Sequence, residues 1–334
     1  MFGTQLVGVE SIARDGDVVL VVGSTPKLKL QVSSITLIGC SEPFAALLGP
    51  LFRSNCQRST PLLPSWINLP DDDAVGMADL CTILHNQPTP ELVGSVPLER
   101  IYRLAIVTDK YACIERLRLH GQALLLGYLD GRVRTGLDDL GKATAAAYLF
   151  DHARVFAMAT TRLLMDTTRC YTELLTSDFA HIFPATVLLA LEVKRATAQT
   201  QISRALPTMG MPECDGGYCN CGECDVCKET RCDNWDSEFA DKLRKGYNTS
   251  CWPPSFRGPA GFTISAAKAS IKKLGTIQRG SPTCDHHDAV VEVSASQFWA
   301  FASHLDRMCA GLCLRCVREG VVDLSKACHK PGHV

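Results

Sequence analysis

The first clear pattern along the chain is a short β-branched run, Asp17-Val18-Val19-Leu20-Val21-Val22, bounded by Gly16 and Gly23. Ser24-Thr25-Pro26 turns it into an alternating stretch bearing Leu28, Leu30 and Val32, so the two runs predict a hairpin. Helical spacing follows. Ser33 or Ser34 can cap a helix carrying Ile35, Leu37 and Ile38, and Ser41-Glu42-Pro43 opens a second with Phe44, Leu47, Leu48 and Leu51 on one face. After a polar, proline-rich loop over 54–64, Trp66-Ile67-Asn68-Leu69 reads as a short strand. Asp71-Asp72-Asp73 then offers an N-cap and favourable dipole charge to a helix with Ala74, Met77, Leu80, Cys81 and Leu84. The most periodic stretch sets Leu98, Ile101, Leu104, Ala105, Thr108, Tyr111 and Ala112 three and four residues apart. A further helix runs through Leu117 and Leu124 to Leu129. These elements predict a small sheet packed among helices, an α+β domain of roughly 115 residues.

Beyond that domain the pattern is helical, with candidate helices over 143–149, 155–164 and 187–202. The character changes after residue 206, where Gly, Asp and Cys crowd together. The expected organisation is an N-terminal tail over 1–14, the α+β domain over 15–130 and a helical region packing after it over 131–206. A Cys-rich loop over 207–254 and a C-terminal helical region over 255–334 complete it.

The α+β segment resembles BTB/POZ domains, in particular the divergent form abundant in filamentous fungi. The residues that carry the likeness are the run from Asp15 to Gly23, then Leu30-Gln31-Val32-Ser33-Ser34, Ser41-Glu42-Pro43-Phe44 and Leu69-Pro70-Asp71-Asp72-Asp73. Leu104-Ala105 and Thr108-Asp109-Lys110-Tyr111 close the series. Each is short, and their order and spacing make the match specific. The resemblance implies a protein-interaction module that pairs as a homodimer through its first helix and adjoining strands. Many animal members have a Phe-x-Ala-His-Lys element where this chain reads Leu30-Gln31-Val32-Ser33-Ser34, without the histidine. Members that recruit a cullin-type ubiquitin ligase often carry a hydrophobic-x-Glu motif after the second helix. The matching stretch here, Leu51-Phe52-Arg53-Ser54, lacks the acid and puts that role in doubt. Cys251-Trp252-Pro253-Pro254 and the Gly-Leu-Cys-Leu-x-Cys element from Gly311 to Cys316 are similar to elements of the fungal relatives, and extend the likeness weakly into the C-terminal half.

Charge adds exclusions. With Lys+Arg 34 against Asp+Glu 35 the net charge is −1, and residues 201–334 hold 16 Lys+Arg against 15 Asp+Glu, so no basic footprint for duplex nucleic acid is visible. No run reaches the roughly 18 apolar residues of a membrane span, and the first 13 residues lack the basic and apolar regions of an export signal. The expected location is intracellular, cytoplasmic or nuclear, with no membrane partner.

Against that background the 17 cysteines read as reduced thiols and metal ligands rather than disulfides. Cys40, Cys56, Cys81, Cys113 and Cys170 stand singly among mostly apolar neighbours and behave as small hydrophobes. Cys214, Cys219, Cys221, Cys224, Cys227 and Cys232 crowd into one run with no intervening element to define which four would ligate. The better-defined set is Cys284-x2-His287 ahead of a helix bearing Phe298, Phe301, Leu305, Met308 and Leu312, with Cys313-x2-Cys316 at its end. Two such pairs suit a closed, four-coordinate structural zinc site made by Cys284, His287, Cys313 and Cys316. Cys328, His329 or His333 could replace one ligand, and His286 competes with His287.

Catalytic motifs are missing: there is no P-loop, no Gly-x-Gly-x-x-Gly after a strand, no Gly-x-Ser-x-Gly elbow and no His-Glu-x-x-His. The expected function is therefore non-enzymatic, a scaffold that binds itself or other proteins. Two alternatives stand beside it: a substrate adaptor of a cullin-type ubiquitin ligase, and a zinc-containing transcriptional regulator. The second lacks tandem Cys2His2 spacing.

Overall fold

A computed structural model of the chain describes residues 8–25, 27–49, 63–92, 94–130, 136–205, 263–274, 285–322 and 328. It divides the chain into two units, one running through Ala159 and including Ser177–Pro184, the other made of Thr160–Thr176 and Ala185–Pro331. The stretch expected as one helical region over 131–206 is thus shared between them.

The first unit is α+β. Its sheet has the order β1 (Glu10–Ser11), β3 (Leu28–Val32), β2 (Val18–Val22), β4 (Ser65–Leu69). The β2–β3 hairpin is antiparallel, with Leu20 opposite Leu30. Every residue of β2 is buried, as befits a central strand covered on both faces. β4 lies parallel to β2, with Leu20 opposite Ile67. A parallel neighbour needs a crossover, and α1 (Ser34–Cys40) and α2 (Glu42–Leu48) lie in the connection that makes it. β1 pairs parallel to β3 at the other edge, and Val9, Ile12 and Ala13 beside it are buried. The stretch expected as a tail therefore contributes an edge strand, too short for alternation to announce it.

Hydrogen bonds from the turn residues tie these pieces together. Ser33 caps α1, while the Asp17 carboxylate accepts the Ser34 N–H at 2.8 Å and its hydroxyl at 2.7 Å. The Ser33 N–H donates to His85 Nε2 at 3.0 Å, so the imidazole proton sits on Nδ1, facing the Cys81 carbonyl at 2.7 Å. Ser41 caps α2, accepting from Phe44 N–H at 3.1 Å, and its hydroxyl donates to the Tyr111 carbonyl at 2.5 Å.

The acidic triplet divides its work. Asp73 caps α3 (Ala74–Leu84) by accepting the Gly76 N–H at 2.7 Å. Asp72 is buried and binds the Lys110 ammonium and, at 2.6 Å, the Tyr111 hydroxyl. Burial and then the Asp72 carboxylate raise the Tyr111 phenol above its ordinary range. The Tyr111 ring stacks on Phe44 at 4.3 Å between centroids. Loop, α2 and the end of α4 (Leu98–Lys110) are thereby joined at one point.

The remaining helices of this unit are α5 (Ile114–Asp130), α6 (Leu137–Leu149) and the start of α7 (Ala153–Asp166). α3 packs on α4, where Arg100 forks onto Asp79 at 2.7 and 2.8 Å. Lys142 of α6 reaches Glu99 at 2.7 Å, and Tyr102 meets Phe179 edge-on with centroids 6.4 Å apart. Gly121 of α5 lies directly against the Phe150 ring.

The second unit is helical: the end of α7, a turn of 3-10 helix at Tyr171–Thr176, α8 (Ala185–Ala205), α9 (Ile264–Leu274), α10 (Asp285–Met308) and α11 (Leu314–Arg318). Tyr171 is fully buried, gives its hydroxyl to the Leu163 carbonyl at 2.7 Å and carries the Arg195 guanidinium 4.2 Å above its ring. The buried Lys194 ammonium donates to the Met308 carbonyl at 3.2 Å, neutralising the end of α10. Among the described residues no helix is long and apolar enough to cross a membrane.

Candidate metal centre

The end of α10 leads into the chain's most concentrated described chemistry. After Met308 the backbone is pinned by the Leu312 N–H, which donates to Thr160 Oγ1 at 2.9 Å. Cys313 then stands at the N-cap of α11 in an extended conformation, and Cys316 faces inward from the helix between buried Leu314 and Val317. The Gly320 N–H bonds the Val317 carbonyl at 3.2 Å and the Val321 N–H bonds the Cys316 carbonyl at 2.9 Å. Gly320 sits at φ +70, a left-handed turn that reverses the chain at the helix end. Cys328 arrives from beyond that turn with its sulfur 3.6 Å from Cys316 Sγ.

The Sγ atoms of Cys313, Cys316 and Cys328 all lie within 4.8 Å of one another, close enough to bind one metal ion. A tetrahedral zinc with sulfur at about 2.3 Å has edges of about 3.8 Å, so the Cys316–Cys328 separation already has the length of such an edge. Cys316 is buried, while Cys313 and Cys328 are half-buried. Loss of solvent and then the neighbouring thiols push the Cys316 thiol up to about 12. A metal binding here must therefore displace protons from the thiols, and that displacement couples its affinity to pH.

Of the ligands expected from sequence, the structure brings Cys313 and Cys316 together and adds Cys328, the named substitute. Cys284, His329 and His333 lie outside the described residues, as do the Cys214 to Cys232 run, the Cys251-Trp252-Pro253-Pro254 element and Leu51-Phe52-Arg53-Ser54. His286 and His287 fall within the first turn of the 24-residue α10 rather than ahead of it. The side chains of this first turn lie outside the described residues.

Among the described residues the other thiols join no further group of three metal-ligating side chains. Burial, helped by Cys113, raises the Cys81 thiol, and burial pushes Cys113 and Cys309 up to about 11 each. Such thiols stay protonated at neutral pH and are poor nucleophiles. An open groove of about 600 Å³ runs between β1, the start of β3, α3 and residues 87–90. Its wall carries three charged residues, Glu10, Asp79 and Arg100, of which the last two bind one another.

No protein-family model, no curated protein and no solved structure matches this chain.

Proposed function

We propose that the chain is a non-enzymatic protein-interaction scaffold. It acts inside the cell through a BTB/POZ-type domain over 15–130, pairs with a second copy of itself, and carries a structural zinc ion in its C-terminal unit. The observation that supports the domain reading is the sheet. A hairpin and a later strand lie side by side with two helices in the connection, and α4 and α5 follow as a packed pair. The residues that carry the family likeness also make the joints: Asp17 to Ser34, Ser41 to Tyr111, Asp72 to Lys110 and Tyr111.

Self-pairing has a surface to use. Ile35 on α1 is 75% exposed, a large apolar side chain on the helix that the family uses for pairing. Burying it is worth about 2 kcal/mol. A twofold interface buries it twice, for about 4 kcal/mol or several hundredfold in Kd. Light scattering at tens of micromolar should find a dimer, and Ile35→Asp should return a monomer with an unchanged circular dichroism spectrum. A wild-type monomer at that concentration sinks the self-pairing.

The zinc reading rests on three sulfurs within 4.8 Å of one another, one pair of them at the length of a tetrahedral edge. Cys313, Cys316 and Cys328 hold three corners of a closed structural site, and the fourth falls to a group outside this trio. Elemental analysis of chain purified without chelator should give about one zinc held by this trio. Metal-free protein with all three thiols reduced and intact removes the metal.

A further inference from the structure

The three sulfurs are not equivalent. Cys316 is 6% exposed and fixed within α11, whereas Cys328 is half-buried and comes from a separate stretch twelve residues on. The two are 3.6 Å apart, and a disulfide needs about 2.05 Å. Closing about 1.6 Å between a helix residue and a residue beyond a glycine turn asks for little rearrangement of α11 itself.

We propose that this site is a peroxide-responsive zinc switch, in which Cys328 and Cys316 are oxidised to a disulfide and the ion is released. The inference rests on the zinc reading of the same three thiols. Zinc holds its sulfur ligands as thiolates, the form that attacks peroxide. Cys328 is the more accessible of the pair, so its thiolate attacks one oxygen of a hydroperoxide. The O–O bond breaks, a sulfenic acid forms on Cys328, and hydroxide leaves. The Cys316 thiolate then attacks the Cys328 sulfur, the S–S bond forms, and a second hydroxide departs. Two thiolates have lost two electrons and one hydrogen peroxide has become two hydroxides. Of the four corners only Cys313 and the group outside the trio remain, and two ligands do not retain zinc as a closed four-ligand site does.

The partition of roles follows from placement. Cys316 has both other thiols beside it, and Cys328 is the partner taken because it comes from outside α11, whereas Cys313 is held at that helix's N-cap. The disulfide keeps residues 316 and 328 tied after the metal has gone, so oxidation swaps a metal staple for a covalent one and frees the half-buried Cys313 thiol.

The test uses the zinc-loaded full chain. Hydrogen peroxide is added in steps, released zinc is read with a chromogenic chelator, and disulfides are mapped by mass spectrometry. The expected result is loss of this ion in step with a Cys316–Cys328 disulfide, reversed by a dithiol reductant with added zinc. In Cys328→Ser protein that retains zinc, peroxide-driven release from this site should be at least about tenfold slower. If that variant holds no zinc, the disulfide map of the wild-type chain decides by itself. Zinc retained while peroxide is consumed, or released with oxidation confined to other cysteines, overturns the switch and leaves the metal reading standing. A chain with no zinc in this trio at the outset removes both.

Discussion

Helix α5 carries two glycines whose replacement by alanine should act in opposite directions. A Cβ at Gly121 would fall 2.6, 2.7 and 2.8 Å from Cγ, Cδ1 and Cδ2 of Phe150, whose side chain is fully buried. A Cβ at Gly127 would meet nothing within 4 Å. Alanine gains about 1 kcal/mol over glycine in a helix interior, so Gly127→Ala should stabilise by about that amount. At Gly121 the ring must retreat by about 1 Å to regain an ordinary carbon contact. Overpacking of that kind costs about 1–3 kcal/mol. Three close atoms in a closed pocket place this case at the upper end, leaving a net loss of about 2 kcal/mol after the helix gain. The two variants then differ by about 3 kcal/mol, and with about 2–4 °C per kcal/mol for a domain of this size their melting points should separate clearly. Urea unfolding followed by far-ultraviolet circular dichroism gives the free energies. Gly121→Ala combined with Phe150→Leu should recover at least about 1 kcal/mol of the loss, because the partners are in contact. If Gly121→Ala stabilises the chain as Gly127→Ala does, Phe150 does not lie on α5 and the described packing of this unit is wrong.

Other substitutions probe single joints. Tyr111→Phe keeps the stack on Phe44 but removes the bond to Asp72, and should cost about 1.5–3 kcal/mol in urea unfolding, the range for a bond to a charged partner; a loss under half a unit would detach Asp72 from the joint. Thr108 Oγ1 is wholly buried and has no hydrogen-bond partner among the described residues. Thr108→Val should therefore stabilise by up to about 1 kcal/mol, and a clear loss would reveal a partner for the hydroxyl. The buried thiols of Cys113 and Cys309 titrate at about 11 in the folded chain against an ordinary 9.0. Between about pH 9 and 11 the unfolded chain gives up these protons and the native one keeps them, so their contribution is present below that window and lost as pH rises through it. Under reductant, the urea midpoint should fall from pH 8 to pH 10, and less steeply in Cys113→Ala and Cys309→Ala; equal slopes in all three would refute it.

What could be read from the chain alone followed the length of each pattern. The hairpin was legible because a β-branched run closed by Gly16 and Gly23 leaves few alternatives, and α4 because apolar residues recur every three or four positions over thirteen residues. Caps at Ser33, Ser41 and Asp73 were legible because their chemistry is local. β1 was not, since two residues show no alternation. Nor was the second role of the acidic triplet: Asp72 meets Lys110 and Tyr111 across 38 and 39 positions, and no local signal records that meeting. At the metal centre the Cys313-x2-Cys316 pair was read directly. Its companion Cys328 was legible only as a substitute, because its sulfur meets that of Cys316 across twelve positions beyond the turn at Gly320 and no local spacing records that meeting.

The parallel pairing of β2 with β4 has a consequence for how the chain is made. During synthesis β2 and β3 can zip as soon as both emerge, since only 14 positions separate Val18 from Val32. β4 cannot join until Leu69 has followed, 37 positions after Val32, a wait of roughly 2–7 s at 5–20 residues per second. Tyr111 trails Leu69 by a further 42 positions, so the bond that fastens Asp72 comes later still. Until Leu69 arrives the β2 edge destined for β4 stays open, a template for whatever strand lies nearest on a crowded polysome. Slowing translation between residues 32 and 69 lengthens the exposure, and aggregation of nascent chains is where a poorly chosen codon in that window would first be seen.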